Sequence, residues 1–562
     1  MPSIASILTR YPELAVYLAL ALGYWMGSIK VRGFTLGGVT GSLLAGMLLG
    51  WAFEIPVSAT AKSLVFLLFL FGIGYEVGPR FAPAMKGDGW RYALLGAFMP
   101  VVGLAAALVV ARVLQLDPGL AAGMMSGALT ESPAMGTATE AIQRLPIDEA
   151  LKQRYMAHVG VADALCYVGG ALGVILTCTV IGPRLLGVRL PEQALALERR
   201  YGIERTRVGV ASAWKPFDTR AYRIAAGTPI AGMQVSEAER RLPGQRLFVY
   251  RLRRDGALLE AQPDTRLHAG DVVAIGGHRQ ALVELLADRA DEVDDPALLD
   301  IAMASHPVFV SRPTWIGRTL AEIAEADVVR AVFLRSILRN GQKMPIGTRT
   351  TIERGDVMLL IGPEPAVNRA AAELGEVIHA TDATDLTAVA LAIFLGAVFG
   401  ILAVVPLGGI TVSIGSSVGA LLAGIVAGHL RARRPLFGRV PDAAAKFMQS
   451  YGLAAFVAMV GLGAGPHFVE AAREHGLGLL AGGLVVTMTP LLSGLWFGHK
   501  VLRIPPVLLL GAISGAQTFT AALAALQEKS GSSIAVIGYS GAVAIAHVLL
   551  TTWGSVMVIA MT

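Results

Sequence analysis

Apolar positions along the chain gather into two blocks of helix-length runs, separated by a stretch in which charged residues are dense and no run is long enough to span a bilayer. The first block predicts six segments, at about 13–29, 35–53, 62–78, 91–113, 119–139 and 156–182. The second predicts six more, at about 386–405, 409–430, 447–465, 476–498, 507–526 and 534–560. Most approach the roughly 20 residues that carry a helix across a membrane. The fifth segment of each block departs from a plain lipid-facing helix. GALTESPAMGTATEAI carries Pro133, Gly136 and several hydroxyls, and GAISGAQTFTAAL is equally rich in small and polar groups. Broken backbone at membrane depth is tolerated where it faces protein or a wet cavity. Both are therefore read as re-entrant hairpins, which leaves five crossings in each half.

The two blocks repeat each other. GSLLAGMLLG (41–50) returns as GALLAGIVAG (419–428), and GALTESPAM (127–135) returns as GAQTFTAAL (515–523). A third echo pairs FGIGYEVGPRF (71–81) with VGLGAGPHF (460–468); its Gly-Pro steps predict helix stops, after glycines that thin the helix for sliding. Repeated membrane segments are the mark of a duplicated transporter fold with its site between the copies. Basic residues crowd the odd-numbered loops of the first half (Lys30, Arg32; Arg80, Lys86, Arg91) and the even-numbered loops of the second (Arg431, Arg433, Arg434, Arg439, Lys446; Lys500, Arg503). By the positive-inside rule the halves are then inverted, the middle is cytoplasmic and both termini are outside.

The middle is also duplicated. RRDGALLEAQPDTRLHAGDVVAIGG (253–277) answers LRNGQKMPIGTRTTIERGDVMLLIG (338–362). Asp255-Gly256 and Asn340-Gly341 predict hairpin turns, and Gly270-Asp271 and Gly355-Asp356 precede short strands. Helical patterns follow at 279–286 and 364–374. The organisation read from this is a transmembrane repeat over 1–185, a solvated linker over 186–218, α+β modules over 219–293 and 305–378, and a second transmembrane repeat over 385–562.

Composition agrees with a membrane protein: 54% apolar, 16% charged, 65 glycines, with a mean hydropathy of +0.60. The net charge of +6 does not argue for nucleic acid, because the basic residues sit at the ends of apolar runs. No cleavable leader is read at the start; Leu14 to Ile29 reads as a first span. Cys166 and Cys178 share one apolar run without metal or redox spacing and are read as packing residues. There is no GxxxxGK[ST], GxSxG, HExxH or GxGxxG, so neither an enzyme nor a metal or cofactor is expected.

Candidate chemistry lies in the paired fifth segments. Thr130, Glu131, Ser132 and Pro133 align with Thr518, Phe519, Thr520 and Ala521, and Gln517 adjoins the second motif. Broken helices expose amide groups and a positive half-helix end that suit a carboxylate. Glu131 is a carboxylate at membrane depth, suited to an ammonium, a proton or sodium. Asp163, whose repeat position is Ala544, falls under the same rule, and His547 lies deep in the last segment. Glu76 and Arg80, four apart, suggest an ion pair at a mouth; Arg80 is also kept as a carboxylate contact.

With its duplicated membrane block, the T-x-[S/T]-P-A motif at Thr130 to Ala134, the echo at Thr518 to Ala522 and two central modules, the chain resembles the aspartate:alanine exchanger family of bacterial secondary transporters over essentially its whole length. The modules resemble TrkA-C domains, the C-terminal ligand-binding domains of potassium-conductance regulators. The second motif carries Ala521 where the family favours proline, and Glu131 stands where small polar residues are usual. The resemblance implies inner-membrane exchange of L-aspartate for L-alanine or of related small carboxylates, a homodimer, an elevator-like motion and a cytoplasmic nucleotide as regulator of the modules. Competing readings are another dicarboxylate exchanger, a cation transporter or channel regulated by the modules, and a membrane sensor.

Overall fold

The computed structural model describes residues 4–31, 34–35, 37–84, 89–201, 217–241, 246–279, 281–282, 291–339, 342–344, 346–347, 349–378, 383–407, 410–433 and 438–562. The chain forms two compact units, Met1–Val208 with Asp382–Thr562, and Gly209–Thr381.

In the first unit, the first apolar block forms helices α1 (Pro12–Ser28), α2 (Gly38–Phe53), α3 (Ala59–Ala84), α4 (Gly89–Val113), α5 (Pro118–Ala128), α6 (Pro133–Gln143) and α7 (Glu149–Leu176). After α8 (Leu190–Tyr201) and the second unit come α9 (Leu386–Leu402), α10 (Ser416–Arg433), α11 (Asp442–Trp496), α12 (Pro506–Ala516), α13 (Thr520–Ser530) and α14 (Ala535–Met561). Among the described residues, five helices are long and apolar enough to cross a membrane: Ala59–Pro79, Gly89–Val113, Glu149–Leu185, Asp442–Val501 and Ala535–Met561. A sixth span results if Ile4–Arg10 and Pro12–Ser28, bent by 111°, count together.

Small residues set the packing registers. A Cβ on Gly46 or Gly50 of α2 would strike the carbonyls of Ala458 or Leu462, and one on Gly461 or Gly465 of α11 those of Leu43 or Met47. The same exchange joins α3 to α10, where Gly74 and Gly78 meet Leu421 and Ile425 while Gly424 and Gly428 meet Phe71 and Tyr75. Residue numbers rise together in both pairs, so each pair runs parallel. The second segment of each half thus packs on the third segment of the other, backbone against backbone, a contact only small residues permit.

Each fifth segment is two short helices with a break. Asp117 caps α5, accepting hydrogen bonds from the Gly119 and Leu120 amides at 2.8 and 2.9 Å, with Pro118 in the first turn. Gly119, Gly123 and Gly127 of α5 face the carbonyls of Tyr155, Val159 and Asp163 of α7. The constant offset makes α5 and α7 parallel and level, so α6 has to carry the chain back between them as a helical hairpin. In the second half Gly511 and Gly515 of α12 meet Ala535 and Tyr539 of α14, and again the two helices are parallel with α13 between.

Four readings of the sequence change. The segments at 447–465 and 476–498 lie on one continuous helix, α11, with Pro466 and Pro490 inside it. The Gly-Pro steps are not stops: α3 continues past Pro79 to Ala84, and α11 past Pro466. An interior proline removes one amide donor, and the glycines before it serve packing against α10 and α2. Residues 410–413, read as the start of a helical segment, are not helical, because Val404–Leu407 pairs with Ile410–Ser413 as β-strands, matched in the first half by Lys30–Val31 with Phe34–Thr35. The stretch read as a solvated linker contains α8, whose Leu190, Ala194 and Leu197 are buried at helical spacing. Its Glu204, Arg205 and Arg207 lie outside the described residues.

The second unit holds two antiparallel five-stranded sheets of one topology. Strands β1 (Phe217–Arg223), β2 (Phe248–Arg254), β3 (Ala257–Glu260), β4 (Val272–His278) and β5 (Asp291–Glu292) take the order β3-β2-β4-β1-β5. Strands β6 (Met303–Val310), β7 (Phe333–Arg339), β8 (Gln342–Met344), β9 (Val357–Pro363) and β10 (Gly375–Val377) take the order β8-β7-β9-β6-β10. Asp255 and Gly256 have φ of 48° and 83°, the two positive values a tight hairpin turn needs. Asn340-Gly341 and most of the 279–286 pattern lie outside the described residues, whereas Glu364–Leu374 is helical. Both modules pin the turn aspartate to the end of the second strand: Arg254 donates to Asp271 at 2.9 and 2.7 Å, and Arg339 to Asp356 at 2.7 and 2.8 Å.

Candidate functional site

The two helix breaks have one local geometry. The Glu131 amide donates to the Ser126 carbonyl at 2.9 Å and the Phe519 amide to that of Ser514 at 3.0 Å. The Thr130 amide reaches Gly127 and the Thr518 amide reaches Gly515, at 3.1 and 2.9 Å. The Ser126 and Ser514 hydroxyls close the same loops from the side-chain side, 3.1 and 2.8 Å from the Glu131 and Phe519 carbonyls. Thr130 and Thr518 both hold positive φ, 57° and 51°. For a β-branched residue that costs roughly 1–3 kcal/mol and persists only where the surroundings over-determine it.

The tips touch. The Thr130 hydroxyl donates to the Gln517 carbonyl at 2.8 Å, and the Thr518 hydroxyl to Glu131 Oε2 at 2.6 Å. Glu131 is 1% exposed; its Oε1 accepts from the Thr551 hydroxyl at 2.9 Å and lies 3.4 Å from His547 Nε2. Asp163 joins through Ser126, whose hydroxyl is 2.6 Å from Asp163 Oδ1. Two buried polar atoms here, Gln517 Oε1 and His547 Nε2, have no hydrogen-bond partner among the described residues. A buried polar group without a partner carries a desolvation cost of about 1–3 kcal/mol that a polar ligand would relieve.

Of the residues singled out in the sequence, Thr130, Glu131, Gln517, Thr518 and His547 meet directly, and Asp163 lies one hydrogen bond away. Ser132 and Pro133 are buried at the start of α6, while Thr520 and Ala521 are exposed at the start of α13. Glu76 accepts from Gln449 of α11 at 2.9 Å, away from these contacts; the Arg80 side chain lies outside the described residues. The sequence reading missed Ser126, Ser514 and Thr551. The first two were legible, since Ser-Gly-Ala opens both motifs one residue earlier than the repeat was drawn. Thr551 gave no signal, because Glu131, its partner, has no charged counterpart in the second half.

Among the described residues no group of three or more His, Cys, Asp or Glu is placed to hold a metal ion. Cys166 and Cys178 are both buried free thiols.

Residues 15–183 and 388–559 match the Asp-Al exchanger family, described as a predicted permease membrane region. Residues 220–287 match the TrkA-C domain. An uncharacterized transporter of Bradyrhizobium diazoefficiens is 48% identical over 509 residues, covering 91% of this chain and 98% of that protein. One of Bordetella parapertussis is 38% identical over 563 residues, covering 99% and 98%, and one of Shewanella oneidensis 34% over 556 residues, covering 98% of each. No solved structure matches. Duplicated apolar halves that meet at two strained helix breaks, with matched permease regions on both sides of a TrkA-C domain, place this chain in the Asp-Al exchanger family as a multi-pass membrane transporter.

Proposed function

We propose that the chain is a secondary antiporter that exchanges small carboxylates or amino acids, with L-aspartate against L-alanine as the first pair to test. The observation that carries this reading is the meeting of the two breaks, where Thr130 reaches Gln517 and Thr518 reaches Glu131. The N-terminal ends of α6 and α13 begin there, and half-helix N-termini favour a carboxylate. Glu131 holds the Thr518 and Thr551 hydroxyls that a substrate carboxylate would use, and is itself a partner for an ammonium group.

The reading includes inverted repeats, each with a re-entrant hairpin. Its support is directional. α5 runs parallel to α7, α6 returns antiparallel to α5, and α6 runs parallel to α14, because Glu131, Ala134 and Thr137 meet Thr551, Gly554 and Ser555 in rising order. The sixth segments of the two halves, α7 and α14, then point in opposite directions. We further propose that the protein lies in the inner membrane with residues 219–293 and 305–378 as cytoplasmic TrkA-C-like modules, that it works as a homodimer by elevator-like motion of the hairpin-bearing part, and that a cytoplasmic nucleotide regulates it through the modules. A Leu258→Cys variant, at an exposed strand position, then reacts with a membrane-impermeant thiol reagent only from the cytoplasmic side.

The test is uptake of labelled aspartate into liposomes that carry the purified protein, loaded in turn with aspartate, alanine, succinate or nothing. Uptake that requires internal aspartate or alanine is the expected result. Uptake driven only by internal succinate makes it a broader carboxylate exchanger. No uptake under any loading overturns the reading.

A further inference from the structure

The residue after the strained threonine holds the same place in both tips, yet it is Glu131 in one and Phe519 in the other. Each leans on the sixth helix of the opposite half. Glu131 Oε1 accepts from the Thr551 hydroxyl of α14 at 2.9 Å. The Phe519 ring meets Tyr167 of α7 edge-on, with ring centroids 6.5 Å apart and planes at 84°. Tyr167 lies one helical turn beyond Asp163, on the same face of α7, and a Cβ on Gly127 of the first hairpin would lie 2.9 Å from the Tyr167 amide nitrogen. The aromatic pair therefore borders both tips: Tyr167 stands beside the first, and Phe519 follows Thr518, whose hydroxyl donates to Glu131.

Burial differs between the two tips. In the first hairpin every residue from Thr130 to Thr139 is buried. In the second, burial falls away along the tip: Gln517 is buried, Thr518 and Phe519 are half-buried, and Thr520 and Ala521 are exposed. Among the described residues no side chain caps the start of α13, so its first amides have no partner within the helix. Unpaired amides at membrane depth are not tolerated against lipid; they face protein or water.

We infer that Phe519 and Tyr167 form a size-selecting aromatic gate over the Glu131 site, with a water-filled approach along the exposed start of α13. The inference rests on the carboxylate-exchange reading above and adds the residues that decide which acid fits. The two tips divide the work. Glu131, Thr518 and Thr551 take the charged end of the solute, and the aromatic pair closes on its side chain. Each methylene added to that side chain has to displace the Phe519 ring from Tyr167, so longer acids are refused.

The experiment is the liposome exchange assay with the full-length protein, read as the ratio of inhibition constants of glutamate and aspartate against labelled aspartate uptake. The wild type is expected to prefer aspartate by about tenfold or more, as one methylene in an apolar pocket can discriminate. Phe519→Ala should erase most of that ratio, and Tyr167→Leu should lower it in the same direction. A structural role would slow uptake without moving the ratio, so an unchanged ratio in Phe519→Ala overturns the gate. So does a wild type that takes both acids equally. If Phe519→Ala gives no monodisperse protein or no uptake, Phe519→Leu and Tyr167→Leu decide by the same ratio. Should the wild type carry succinate alone, glutarate against succinate reads it. The approach is tested by Thr520→Cys. Cys166 and Cys178 are both buried, so labelling of the variant by a water-soluble thiol reagent, slowed by aspartate, supports the approach, and no labelling overturns it. A wild type that exchanges none of the acids removes the functional reading itself, an outcome distinct from exchange without size selection.

Discussion

The duplicated hairpin tip contains its own control. Ser126 and Ser514 occupy the same position, and each hydroxyl reaches the carbonyl five residues on, at 3.1 and 2.8 Å. Only Ser126 also touches a carboxyl group, 2.6 Å from Asp163 Oδ1. Both serines are buried, at 1% and 0% exposure. Ser514→Ala removes one neutral hydrogen bond, worth about 1 kcal/mol. A hydroxyl carries one proton, and that of Ser126 lies closer to Asp163 than to the Glu131 carbonyl; Ser126→Ala therefore removes chiefly the bond to buried Asp163, and a bond to a carboxylate is worth about 1.5–3 kcal/mol. The first-half variant is therefore expected to cost about 1 kcal/mol more than its twin. Thermal unfolding of the full-length protein in detergent, followed by tryptophan fluorescence, reads the difference. The cycle through Asp163→Asn isolates it, since that substitution is expected to couple to Ser126→Ala by a similar amount. Equal costs for the two serines, or no coupling to Asp163, would refute the argument.

Gly465→Val and Gly428→Val should each strip the fold of a backbone-to-backbone helix contact and sharply lower the yield of monodisperse protein, whereas Gly169→Val, which meets nothing within 4 Å, should not; size-exclusion chromatography tells them apart. Thr518→Val and Thr551→Val each take a donor from Glu131, and each should reduce exchange about tenfold or more if the tips bind substrate, measured as initial uptake in liposomes. In the second unit, burial pushes the Asp271 carboxyl up, but Arg254 and the His268 amide outweigh it and hold the group below its ordinary value. A depressed carboxylate stabilises the fold above the unfolded value of about 3.9, and that contribution is lost as pH falls through the lower folded value. Arg254→Met should move the loss to higher pH, read as earlier cleavage by pepsin within 248–275 of the intact chain; cleavage at an unchanged pH would contradict it.

Much of this architecture was legible before any coordinates. The repeated glycines of GSLLAGMLLG and GALLAGIVAG lie where these helices meet their neighbours backbone against backbone, because a membrane interior offers little hydrophobic drive and leaves packing to small residues. Pro133 and the clustered hydroxyls marked the first break, and Asp255-Gly256 marked a turn whose two positive φ values few other pairs tolerate. What misled was local grammar read without context. Gly-Pro reads as a stop, yet α11 runs through Pro466 because one lost amide bond is small beside the packing its glycines make against α2.

Local sequence therefore determined which segments are apolar, where they repeat and which two of them break, since periodicity, small residues and turn chemistry act over a few residues. Only the tertiary structure decided that Glu131 of one half closes on Thr518, His547 and Thr551 of the other, and that Glu140 accepts from the Ser416 amide of α10 while Glu528, at the matching position of α13, is exposed. Those pairings join positions hundreds of residues apart, and they are fixed by how the helices pack in parallel rather than by any preference carried in the local chain.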